Sequence, residues 1–406
     1  MPSIDRPTTR TALVALLAVG AVALAGCAGS SDSSAPTSST GASQVNVTLT
    51  GGDADACALD YDSVPAGAVT FTVTNESSTA ITEVELLSDN RILGEKENLA
   101  PGLAAVSFTL TLDGGDYEIY CPGAETDTLD FTVTGTSASS TGGTVQSLLE
   151  EGAEGYATYA NGVAADMVTA VANLQTAIES GDLTAAQEAY ALARPFYEKI
   201  ESDVDGFVLT GYDATDNAGN LDYLIDMRES TPVDDAVGWS GFHAIERDLF
   251  QNEEITDQTE TYAADLVTHT DELVSVMASL TYAPEDLANG AADLLEEVQA
   301  NKITGEEELY SHIDLVDFAG NVEGAEQAFA YLRPGLDEID ASLAEQVQEQ
   351  FDAVTALLDT YRDSSSLGGY RLWTEELQAT DAAALSKAVQ ALQEPLSSIA
   401  EKVATA

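Results

Sequence analysis

The sequence predicts a multi-domain protein, an N-terminal all-β sandwich followed by a larger all-α domain of two duplicated four-helix bundles. Three observations carry that expectation. From residue 44 to 134 apolar residues alternate with period two, whereas from 145 to 406 they recur at i, i+3 and i+4. Between the two patterns the stretch GTSASSTGG reads as a flexible linker over 135–144. Finally, the segment from Ala186 to Pro195 (AQEAYALARP) aligns without gaps on Ala325 to Pro334 (AEQAFAYLRP). The alignment continues so that Glu198 meets Asp337 and Glu201 meets Asp340, which points to a duplicated helical unit.

Ahead of both domains, Arg6 and Arg10 precede an apolar run from Ala12 to Gly26. That run falls short of the roughly 20 residues needed to span a bilayer, and it reads as an export signal over 1–26. It ends in Leu24-Ala25-Gly26-Cys27, which resembles the lipobox of bacterial lipoproteins. The resemblance implies lipidation at Cys27 and anchoring to the outer face of the cytoplasmic membrane, on the cell-surface or periplasmic side. Residues 27–43 are rich in Ser, Thr, Gly and Ala and read as a tether. In the β region Val45 to Leu49, Val69 to Val73, Ser107 to Leu112 and Leu129 to Val133 read as strands. Pro65-Ala66-Gly67, Pro101-Gly102 and Asp113-Gly114-Gly115-Asp116 supply turns between strands. The helical segments run from Val163 to Ile178, Ala186 to Ile200, Tyr262 to Leu280, Leu287 to Val298, Ala325 to Leu332, Leu343 to Tyr361 and Leu385 to Val403.

The 406 residues hold 14 Lys and Arg against 70 Asp and Glu, a net charge of −56. So few basic residues argue against a nucleic-acid partner and against attraction to anionic headgroups. Total charge alone reads as solubility in a salty or wall-associated setting. A specific cation site needs a constellation.

Only three histidines occur. His243 and Glu246 stand at i, i+3, so in a helix they share one face. Glu198 and Glu201 form a second i, i+3 pair, which alone reads equally as a solvated face. Helices that project carboxylates and a Glu/His pair inward hold iron in bundles, and these donors suit Fe, Mn or Zn better than Cu(I). His269 lies on a solvated face, and His312 has no acidic partner at i+3. Cys57 and Cys121 form either a disulfide or a soft-metal pair, with Glu83, Glu85, Glu95 and Glu97 as oxygen donors nearby.

Gly241 to Glu246 (GFHAIE) matches the GxHxxE signature of the imelysin-like family, and RPFYEKIES and LDYLIDMRES resemble that family's acidic motifs. The segments PAGAVTFTVTNES and ENLAPGLAAVSFTLTLDGGDYEIYCPG resemble cupredoxin strands. The β region has no His and no Met, which a blue-copper site requires. A cupredoxin-like domain before an imelysin-like one, on an exported chain, resembles the EfeO family of extracytoplasmic iron-uptake components. The resemblance implies a metal site of Glu198, Glu201, Asp226, His243 and Glu246, with iron as Fe2+ or Fe3+ for cargo. It implies a second metal site or a disulfide at Cys57, Cys121, Glu85 and Glu97, with copper as the β-domain metal. The implied partners are an Efe-type membrane iron permease and a secreted haem peroxidase. Asp337 and Asp340 find only Gly369-Tyr370-Arg371 where a histidine is needed, so the second half reads as a degenerate copy. A binding protein is expected rather than an enzyme. The alternatives are a zinc metallopeptidase, for which a His-Glu-x-x-His motif is missing, and a non-catalytic surface scaffold.

Overall fold

The computed structural model describes residues 35–52, 54–88, 91–136, 143–204, 207–213, 215–229 and 233–406. The signal, Cys27 and most of the linker lie outside the described residues. The last predicted tether residues are folded: Ala35 and Ala42 are buried, and Thr37 bridges Ser43.

An N-terminal β region precedes a large helical domain. The nine strands are β1 (Ser43–Thr50), β2 (Ala56–Leu59), β3 (Ser63–Pro65), β4 (Gly67–Asn75), β5 (Val84–Ser88), β6 (Arg91–Lys96), β7 (Val106–Leu112), β8 (Gly115–Tyr120) and β9 (Thr128–Thr134). They form two sheets, ordered β2-β1-β4-β7 and β3-β9-β8-β5-β6. Period two places Val45, Val47 and Leu49 inward, where the β4 and β7 rings Phe71 and Phe108 stack at 5.1 Å. Phe71 also meets Phe131 of the other sheet edge-on at 5.2 Å.

Cys57 on β2 and Cys121 after β8 are joined as a disulfide between the two sheets. It closes a sequence separation of 64 residues. Replacing both cysteines by serine is expected to destabilise the β domain by about 4 kcal/mol through the freed unfolded chain. The check is urea denaturation of the oxidised, reduced and Cys57→Ser/Cys121→Ser proteins. Reduced and doubly substituted proteins should coincide, both below the oxidised one.

The helical domain begins with α1 (Thr144–Glu179), α2 (Leu183–Glu198) and the short α3 (Glu201–Val204). Then come α4 (Leu221–Asp226), α5 (Gly241–Glu246), α6 (Asp257–Met277), α7 (Pro284–Glu297), α8 (Asp314–Leu358), α9 (Glu375–Leu396) and α10 (Ile399–Ala404). π-Helical turns follow α5 at Arg247–Gln251 and α7 at Val298–Lys302. α1 packs on α2, α6 and α8, while α7 packs on α8, α9 and α10. Two segments expected as separate helices are one long α8, bent at Asp340 six residues after Pro334. Pro removes a backbone donor, and α2 likewise ends soon after Pro195. The two repeated segments thus lie on α2 and α8, which pack against each other. A Cβ at Gly324 would lie 2.3 Å from the Lys199 carbonyl oxygen. Only glycine lets α8 approach the end of α2 so closely, and this brings Glu198 and Glu201 beside Asn321.

The sandwich docks on α7. Lys96, nearly inaccessible on β6, pairs with Asp293 and with Glu296 at 3.3 Å. Asn289 donates to the Thr109 carbonyl at 2.7 Å, and the Thr111 amide donates to Glu285 at 3.0 Å.

Candidate metal centre

Four chain segments meet in the helical interior: the end of α2, the end of α4, α5, and the loop 303–313 leading into α8. Gly241 explains why the α5 signature opens with glycine. Its φ is +81°, and a Cβ there would sit 2.2 Å from the Ile225 carbonyl oxygen. A residue with a side chain would push α5 off α4 and separate His243 from Asp226.

His243, Asp226 and Glu307 form a buried group whose ligand atoms all lie within 4.8 Å of one another. His243 Nε2 stands 3.3 Å from Glu307 Oε1 and 3.5 Å from Asp226 Oδ1. It is buried with no hydrogen-bond partner. The other ring nitrogen, Nδ1, lies 3.3 Å from Glu246 Oε2. The second Glu246 oxygen accepts the Tyr310 and Ser311 amides, each at 2.7 Å. Glu246 is therefore fastened to the loop and to Nδ1. In the neutral tautomer with hydrogen on Nδ1, that contact aims the Nε2 lone pair at Asp226 and Glu307.

Glu198 and Glu201 are buried but face a cation. Lys302 Nζ lies 3.3 Å from Glu198, 3.2 Å from Glu201 and 3.5 Å from Glu307. Arg194, fully inaccessible, pairs with Asp226 and Glu198 and reaches Glu307 at 3.2 Å. Its guanidinium also stacks 5.0 Å from the Phe242 ring centre. Arg228 reaches Glu307 at 2.7 Å. Of the five expected ligands, the structure brings Asp226 and His243 together. It puts Glu246 behind the ring and gathers Glu198 and Glu201 around Lys302. Arg228 lay within the LDYLIDMRES segment, but Glu307 and Lys302 had no signal in the sequence: Glu307 is the middle of three consecutive glutamates, and only the loop's path brings it inward.

The charges follow from burial and neighbours. Burial opposes ionisation of Glu307, but Lys302 and Arg228 hold its carboxyl well below the usual range. Asp226 is likewise lowered, by Arg194 and His243 against burial. Burial works against charge on His243, yet Asp226, Glu246 and Glu307 together raise its pKa well above the ordinary value. Glu198 is pushed up to about 8 because burial outweighs Lys302 and Arg194.

The repeated pair Asp337 and Asp340 is different. Arg333 reaches Asp337 at 3.9 Å and Lys402 reaches Asp340 at 3.1 Å, with half to a third of each aspartate side chain exposed. His269 and His312 are half-buried, and neither joins a metal-capable group among the described residues.

In the β domain the expectation of copper is corrected. Both sulfurs are tied in the disulfide, so no thiolate is available, and the domain offers no histidine. Glu97 is exposed. Glu85 on β5 is buried directly opposite Glu95 on β6, and its Oε2 has no partner. Burial, then Glu95 and Glu83, push Glu85 from 4.5 up to about 9. Between those values the folded protein holds a proton that the unfolded chain has lost, so stability falls as pH rises. Glu85→Gln is expected to flatten that slope and to melt above the wild type at pH 9. Thermal melts from pH 5 to 9 check this.

The imelysin (peptidase M75) family model matches residues 152–399. A Yersinia pseudotuberculosis protein described as "Iron uptake system component EfeO" is 32% identical over 356 residues, covering 88% of this chain and 90% of the relative. "Efem/EfeO family lipoprotein" chains of Staphylococcus haemolyticus and Staphylococcus aureus strain MRSA252 are each 35% identical. The matches cover 62% and 63% of this chain, and 83% and 86% of those relatives. The chain belongs to the imelysin family, in its EfeO/EfeM branch. These relatives are named as an iron-uptake component and as lipoproteins, not as enzymes.

Proposed function

We propose that this protein is an extracytoplasmic iron-binding component of an iron-uptake system. Asp226, His243 and Glu307 would take the ion, and Glu246 would orient the imidazole. The observation that carries this reading is the His243 Nε2 atom, buried without a hydrogen-bond partner and facing two ionised carboxylates. One nitrogen and two hard oxygens suit Fe(II), Fe(III) or Zn(II). Iron is the cargo here. The EfeO name of the Yersinia relative supports iron, and the lipoprotein names support anchoring through Cys27 after removal of residues 1–26. Within this reading the ion passes to a membrane permease, and a haem peroxidase of the same system is a second partner. The β domain, cupredoxin-like in strand order, would be a docking module held on α7. The Arg-Pro repeat on α2 and α8 supports descent from duplicated helical bundles, of which only the first half keeps a site.

The family's peptidase name favours a second reading, a zinc hydrolase. Against it stand Arg194 and Lys302, cations where a hydrolytic centre needs an open water position. The test is titration of the full chain with Fe(II) under anaerobic conditions, then Fe(III) and Zn(II). One tight site per chain is expected. Binding no stronger than that of a generic acidic surface would overturn the proposal, and zinc-dependent cleavage of casein would put the hydrolase first.

A further inference from the structure

Two of the three atoms that would hold the ion are already in use. Asp226 Oδ1 and Glu307 Oε1, the oxygens nearest His243 Nε2, also accept from the two terminal nitrogens of Arg194. A metal ion binding those oxygens would stand next to a guanidinium in a dry interior. Arginine cannot shed its charge, so it has to move.

The surroundings provide a destination. Arg194 Nε is 2.9 Å from Glu308 and 3.6 Å from Asp317 Oδ2, yet it makes no hydrogen bond. Glu308 is engaged by the Tyr190 and Ser311 hydroxyls. Asp317, on the first turn of α8, is fully buried, and neither of its oxygens has a hydrogen-bond partner. A buried carboxyl without a hydrogen bond is costly and rare; burial pushes the Asp317 carboxyl up and Arg194 opposes that, and once ionised it is the fork that a guanidinium fits in bidentate fashion.

We propose that Arg194 is the resident counter-ion of the metal centre and that Asp317 receives its guanidinium when the ion arrives. The proposal rests on the metal-binding reading above. In the empty centre the guanidinium keeps Asp226 charged and holds both Asp226 and Glu307 in place. On loading it turns to Asp317, so the incoming ion must outcompete a built-in positive charge. Asp317 acts through Arg194 and is a positioning residue, not a ligand.

The experiment uses the full chain with zinc as a redox-inert probe. Wild type, Asp317→Asn, Asp317→Glu and His243→Ala are titrated calorimetrically. The Arg194 side-chain signals, assigned by their loss in Arg194→Lys, are followed by NMR. Asp317→Asn is expected to lose about tenfold in zinc affinity, the scale of one charge-assisted pair. Asp317→Glu should recover part of that loss. The Arg194 signals should shift on zinc loading in the wild type and much less in Asp317→Asn. A merely structural Asp317 would lower the melting temperature and leave the Arg194 response to zinc intact, which would overturn the proposal. Wild-type zinc affinity in Asp317→Asn would overturn it as well. Zinc binding that survives His243→Ala would instead overturn the metal-centre reading on which it rests.

Discussion

His243→Ala is expected to abolish iron and zinc binding at the centre while leaving the protein folded. The substitution removes the sole nitrogen donor of the group and leaves Asp226 and Glu307 held by Arg194, Arg228 and Lys302. Glu246→Gln is expected to be milder, about 10–100-fold in affinity, because it only loosens the ring from the Tyr310–Ser311 loop. The order of the two effects is the informative result. If Glu246 were a ligand of equal standing, the two variants would lose binding alike. The same site predicts a pH dependence. Burial works against charge on His243, but Asp226, Glu246 and Glu307 raise its pKa and so favour the protonated ring, whereas a metal takes only the neutral one. Affinity should therefore rise with pH, with protons released as the ion binds. Calorimetry in two buffers of different ionisation heat reads those protons directly.

Arg194→Met is expected to destabilise the metal-free protein by about 3–5 kcal/mol at pH 7, the usual cost of stripping one partner from a buried ion network. Asp226, Glu198 and Glu307 would lose their shared cation in a nearly inaccessible interior. The defect should shrink as pH falls, because protonated carboxyls need no counter-ion. Zinc should restore part of the lost stability by supplying positive charge. Arg333, the repeat's counterpart, is a matched control. Its pairing with Asp337 at 3.9 Å is largely exposed, and Arg333→Met should change stability by no more than about 0.5 kcal/mol. Urea denaturation of both variants at pH 5 and pH 7, with and without zinc, separates these expectations.

Much of the molecule was legible from residue order. Period two in residues 44–134 and the helical period after 145 placed the β region and the helical domain, because side-chain spacing follows directly from backbone geometry. The boundary within α8 was not legible. The periodicity read as two helices, Ala325 to Leu332 and Leu343 to Tyr361, yet one helix bent at Asp340 joins them, since packing on α1, α2 and α7 holds the chain helical on both sides.

For the site, the sequence by itself determined the short-range pieces: His243 with Glu246 and Glu198 with Glu201. One helical turn sets such pairs, so spacing suffices to read them. Only the tertiary structure decided which carboxylates meet the imidazole. Glu307 comes from a loop far along the chain, and Lys302 claims Glu198 and Glu201, because buried charges distribute themselves among whatever neighbours folding brings within about 4 Å. Linear spacing carries no trace of that competition, which is settled by the three-dimensional placement of Arg194, Arg228 and Lys302 among an excess of acids.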